Sequence, residues 1–141
     1  MLYEGYSERV ASYGFISGLI LGQIVGIVFS FLTELDVVSG IVNGAGAGVV
    51  IAMIPAYMLI NRKFTDGKMI IPFAMGWGTV VGIMVGLAVA WARGLVYMGG
   101  FSYGSIGGLV TGTAIGLFLW WIPEDDELNG LSEEEFVEIS E

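Results

Sequence analysis

Four stretches of this chain carry no Asp, Glu, Lys or Arg for about 20 residues or more: residues 10–33, 37–60, 69–92 and 95–122. An α-helix rises 1.5 Å per residue, so about 20 apolar residues cover the roughly 30 Å hydrocarbon core of a bilayer. Lipid offers nothing to hydrogen-bond a bare backbone, and a helix satisfies its own amides and carbonyls. The sequence therefore predicts an all-α integral membrane protein of four transmembrane helices over those ranges. Composition points the same way, with 55% hydrophobic and only 13% charged residues, against about 25% charged in soluble domains. The first run is too long for a signal-peptide core and has no small-residue cleavage pattern before Glu34, so it is expected to remain in the protein.

The stretch SYGFISGLILGQIVG, residues 12–26, sets glycine at every fourth position: Gly14, Gly18, Gly22 and Gly26. The pattern recurs as Gly40, Gly44 and Gly48 followed by Ala52 and Ala56. It appears again as Gly78, Gly82 and Gly86, and as Gly100, Gly104, Gly108, Gly112 and Gly116. A helical glycine costs about 1 kcal/mol relative to alanine in water. Between membrane helices there is no hydrophobic driving force, and association rests on close van der Waals contact, which small residues permit. Four-residue spacing puts each series on one slowly drifting stripe, so the four runs are expected to pack through GxxxG glycine zippers, within the chain or between chains. The repeated spacing resembles that of the translocase family for protein import at the mitochondrial inner membrane. The resemblance covers the glycine spacing alone and brings no function with it.

Charge gives the orientation. Four crossings put both termini and the 61–68 connection on one side, with Arg9, Arg62, Lys63 and Lys68; the other side holds Arg93 alone. The positive-inside bias then predicts cytoplasmic termini in a multi-pass protein of the cell membrane. Tyr13, Tyr57, Trp120 and Trp121 fall near the inner boundary, and Trp91, Tyr97 and Tyr103 near the outer one, as interfacial anchors should. Pro55, inside the second run, frees the Ile51 carbonyl and predicts a bend; Pro72 falls in a first turn, where a missing N–H is harmless.

The net charge of −9 is concentrated in residues 123–141, which carry nine acids and no base. Such a tail disfavours phosphate backbones, so nucleic acid is excluded as a partner. Within it, Ser132 and Glu135 form a capping box and Leu131 with Phe136 its hydrophobic staple, predicting a short helix over about 133–140. The segment is read as a solvated cytoplasmic tail or as a docking segment for a cytoplasmic partner.

Residues 102–116, SYGSIGGLVTGTAIG, repeat the opening stretch ninety positions later with eight of fifteen identities. Runs one and four cross in opposite directions, so the echo is either an inverted repeat of the kind transporters build around midplane sites or two glycine stripes converging on one packing motif.

With no cysteine and no histidine, disulfides, thiol catalysis and the usual zinc or haem ligands are excluded, and no metal or cofactor is expected. NGAGAG at residues 43–48 lies inside a run with no preceding strand, so it is no dinucleotide fingerprint. No catalytic constellation is present and no enzymatic activity is expected. Charge is absent from the membrane core, which leaves Gln23, Asn43, Thr111 and Thr113 as the candidates for a polar path. The expectation is a non-enzymatic subunit or assembly partner of a membrane complex, or a homo-oligomer. The alternative is a small channel or carrier for an ion or small solute using Gln23 and Thr113.

Overall fold

The computed structural model describes residues 2–33, 36–61 and 66–122, with side chains from residue 7 onward. The acidic tail, Glu34, Arg62 and Lys63 lie outside the described residues, and with them the predicted tail helix and part of the charge that sets the orientation. The described chain is helical: α1 (Leu2–Thr33), α2 (Val37–Ile60), a 3-10 turn (Gly67–Met69), α3 (Ile70–Arg93) and α4 (Tyr97–Trp120). All four α-helices are long and apolar enough to cross a membrane.

Local chemistry explains where the helices stop. Asp36 caps α2 by accepting a hydrogen bond from Ser39 N at 3.0 Å, a standard use of a side-chain oxygen at a helix N-terminus. That same bond, with Arg93 contributing least among several causes, holds the Asp36 carboxyl below its ordinary range of about 3.8. Gly94 ends α3 in the left-handed conformation, φ 65°, which glycine adopts without a Cβ penalty. This is why α4 starts at Tyr97 although the charge-free run starts at residue 95. Helix α2 runs unbroken through the buried Pro55, and Pro72 sits in the first turn of α3.

The helices associate in two pairs. Helix α1 packs along α2 and α3 along α4, while contacts between the pairs are sparser. Each pair is a hairpin closed by three residues, 34–36 in one and 94–96 in the other. The hairpins are related by a shift of sixty positions. Val37–Ile60 and Tyr97–Trp120 stand sixty apart at both ends, as do the last residues of α1 and α3, Thr33 and Arg93. Burial follows the same shift: Val10 and Ile70, Ser30 and Ala90, Ile51 and Thr111, Ala52 and Gly112 are matched pairs, and every member is buried.

The fold is thus two copies of one helical hairpin, pointing the same way. The ninety-position echo aligns residues 10–33 with 100–123, three residues out of step with the observed bounds of α4. Four of its eight identities are glycines of the shared stripe, whereas the sixty-position relation keeps helix ends and burial together.

Candidate functional site

Inside each hairpin the glycine stripes face one another, each glycine of one helix set between two of the next. A Cβ on Gly22 would run into the Gly44 carbonyl and lie 2.9 Å from Gly48 Cα. One on Gly26 would strike the Gly40 carbonyl, and one on Gly18 would sit 2.5 Å from Gly48 O and 2.8 Å from Ala52 Cβ. Gly14 continues the row against Ala56, at 3.2 Å. In the second hairpin Gly78 faces Gly108 and Gly112, Gly82 faces Gly104 and Gly108, and Gly86 faces Gly100 and Gly104. Gly112 reaches Ala74 and Gly78, and Gly116 reaches Ile71 and Ala74. The obstructing atoms are mostly backbone, which cannot swing aside as a side chain can. The two helices of a hairpin therefore meet backbone to backbone along these stripes, as small residues permit.

Between the hairpins the chemistry changes. In the half of the bundle nearest the 3-10 turn the hairpins meet around one buried apolar cluster, Val10, Ile51, Ile70, Val81, Ile115 and Leu119 together with Ala52 and Ala56 of the α1–α2 seam. Tyr13 meets the edge of Phe118 there, ring centroids 6.4 Å apart, and Trp77 Nε1 donates to Val50 O at 3.2 Å. In the other half the interface opens into a cleft of about 480 Å³ that begins near Thr33, Arg93 and Val96 and ends at Ile51 and Thr111.

The cleft is lined by residues that the sixty-position shift exchanges, among them Val25 and Val85, Asn43 and Tyr103, Ala47 and Gly107, Ile51 and Thr111. It therefore lies on the axis relating the hairpins, symmetric in position and asymmetric in chemistry. Phe29 closes the α1–α4 side, its ring 5.9 Å from that of Tyr103 in an edge arrangement. Gly107 makes room for that ring, since a Cβ there would lie 2.9 Å from Phe29 Cε2. Across the mouth Arg93 Nη2 donates to Ser39 Oγ at 2.8 Å, joining α3 to α2.

No family model, curated protein or solved structure matches this chain. The glycine spacing it shares with the import translocases stands without a family match, and the functional reading rests on geometry.

The four polar candidates separate. Asn43 and Thr111 line the cleft; Gln23 and Thr113 do not. The hydroxyls are mostly satisfied within their own helices: Thr111 Oγ1 donates to Gly107 O at 2.8 Å, Thr113 Oγ1 to Leu109 O at 2.7 Å, and Ser17 Oγ to Gly14 O at 3.0 Å. Ser30, Thr79 and Ser105 bond carbonyls one turn back in the same way. The amides differ, for neither Asn43 nor Gln23 has a hydrogen bond among the described residues. Asn43 presents two donors and an acceptor beside an otherwise mainly apolar chamber. Sequence reasoning missed the cleft's other polar groups: Ser30, Thr33, Ser39 and Arg93 lie near helix ends, and Tyr103, which stands where Asn43 does in the other hairpin, reads in the sequence as an interfacial anchor.

Proposed function

We propose that this protein is a non-enzymatic membrane protein that binds a small amphipathic molecule in the cleft between its two hairpins. The observation that carries the reading is the cleft itself: about 480 Å³, within the roughly 300–1,000 Å³ of small-molecule sites, with mainly apolar walls and, near its mouth, an Asn43 amide that has no hydrogen bond among the described residues. The ligand this chemistry fits has a compact apolar body and one hydrogen-bonding end that meets Asn43. Because Ile51 and Thr111 end the cleft against a packed core, the geometry favours holding a molecule over conducting one.

The finer architecture belongs to the same proposal. The glycine stripes act as zippers that make each hairpin one rigid unit. The basic residues Arg9, Arg62, Lys63 and Lys68 keep both termini and the acidic tail in the cytoplasm, so the cleft opens to the outer face of the cell membrane.

A C8 alcohol titrated onto protein in nanodiscs, read by native mass spectrometry, tests the reading. Saturable binding of one molecule per chain is expected, lost in Val89→Trp, which fills the cleft, and weakened in Asn43→Leu. Equal, non-saturable occupancy of parent and Val89→Trp would sink it.

A second reading, a homo-oligomer or a subunit of a membrane complex, is favoured by Gln23, whose amide lies outside the cleft and has no hydrogen bond among the described residues. The glycines no longer argue for it, since their stripes are occupied within the chain.

A further inference from the structure

Gln23 lies near the middle of α1, one position beyond Gly22 in the glycine stripe, and is half-buried. Leu19 and Ile27 occupy the same position one turn away on either side, and both are half-buried. On α2 the equivalent offset from Gly40, Gly44 and Gly48 gives Ile41, Ala45 and Val49, again half-buried. In an antiparallel pair, residues one step after each facing stripe emerge on the same side. These six therefore line one shallow groove along the α1–α2 hairpin, on the face opposite the cleft, whose lining comes from the step before (Val25, Asn43, Ala47, Ile51).

A primary amide at this depth has two N–H groups and a carbonyl to satisfy, and lipid satisfies none of them. The neighbouring hydroxyls solve the problem by bonding their own helix; Gln23 does not. The sixty-position shift places Ile83 where Gln23 stands, and the polar residues one step after the second hairpin's glycines, Thr79, Ser105 and Thr113, bond their own helices, so a polar group without a hydrogen bond among the described residues marks this face of the first hairpin only. That asymmetry argues against a role in the shared hairpin fold and for a role at a surface that only the first hairpin presents.

We propose that this groove is a homodimer interface, in which a second copy of the chain docks on α1–α2 and the two Gln23 amides hydrogen-bond each other. A two-fold axis along the membrane normal keeps every residue at its own depth, so Gln23 of one protomer meets Gln23 of its partner. An amide is its own complement, donating from nitrogen and accepting at oxygen. Such an interface is isologous, as closed two-fold dimers require, and Ala45 opposite Gln23 leaves room for the partner helix. The inference rests on the second reading above and is independent of the cleft.

The chain has no cysteine, so single thiols can be introduced cleanly. Oxidation in native-like membranes is expected to crosslink Leu19→Cys and Ile27→Cys into dimers and to leave Val80→Cys, exposed on α3, monomeric. Energy transfer between labelled copies in liposomes is expected to show a roughly tenfold weaker dimer for Gln23→Leu and an unchanged one for Asn43→Leu. Crosslinking at Val80 as efficient as at Leu19, an undiminished dimer in Gln23→Leu, or crosslinks running to a different protein in place of a second copy would each overturn the proposal. The thiol series is read on the otherwise unaltered chain, so it decides even if Gln23→Leu fails to fold. C8-alcohol binding that persists in a monomeric protein would separate loss of the dimer from loss of the cleft reading.

Discussion

Within a hairpin, glycine meets backbone; between hairpins, ring meets ring, an indole meets a carbonyl, and the interface opens at one end into a cleft of about 480 Å³. The first kind of contact admits no adjustment, because a carbonyl pinned in a helix cannot move without its neighbours. The second is built from side chains with rotamers to spare, and it surrounds a chamber. Unyielding contacts thus lie inside the repeated unit and adjustable ones between the units, the division that the proposed binding in the cleft would use.

The largest effect expected from challenging this division is in Gly22→Leu and Gly112→Leu. Each forces a side chain into partner backbone, a cost on the order of 3 kcal/mol or more, and should abolish a monodisperse folded species in detergent, measured by size exclusion and thermal scanning. Variants that run like the parent would show that the hairpins are not held by their glycines. Trp77→Phe and Gly107→Ala act between hairpins and should cost far less. The first removes one interhelical hydrogen bond of about 0.6 kcal/mol. The second presses on a Phe29 ring that can shift, at about 1 kcal/mol, and should narrow the cleft enough to weaken C8-alcohol binding while the fold survives.

A pH dependence sharpens the comparison at the hairpin tip. The Asp36 carboxyl is held below 3.8 mainly by Ser39 N–H, so its stabilising effect is complete above the unfolded value and is lost as pH falls through the lower folded one. Subtracting an Asp36→Asn thermal profile from that of the parent isolates this contribution from the acidic tail. The difference should be constant at neutral pH and shrink only at strongly acidic pH. Smallest of all are Gly46→Ala and Gly76→Ala, where a Cβ would have nothing within 4 Å. These should be neutral or raise stability by up to about 1 kcal/mol through helix propensity, and a marked loss at either would reveal a contact made by another chain.

Helix number and approximate bounds were legible because an unbroken apolar run of membrane length has few other uses. The glycine spacing pointed to close contact but left the partner open, since a four-residue stripe looks alike on every helix. The ninety-position echo left an inverted repeat and convergence on one packing motif open for the same reason: half of its identities are stripe glycines, and α1 against α4 scores higher than α1 against α3. Depth and burial, which a sequence does not print, discriminate. Thr113 and Gln23 looked like partners because both fall well inside their apolar runs, each one step after a stripe glycine, yet that step turns them away from the cleft. Asn43 and Thr111 reach the cleft because each lies one step before a glycine of its stripe, Gly44 and Gly112, a distinction that becomes meaningful only once the facing helix is known.

Because glycine recurs every four residues on both faces of a hairpin, the interface resembles a rail with evenly spaced notches about 6 Å apart. Sliding α1 along α2 by one notch would set glycine against glycine again and forfeit little beyond the contacts at the ends. What opposes the slide is the tether: with three residues between Thr33 and Val37, and three between Arg93 and Tyr97, a shifted register would have to be taken up by nearly extended connections. Connection length therefore sets the alignment of each hairpin and, through it, the depth at which Asn43 and Tyr103 stand at the mouth of the cleft.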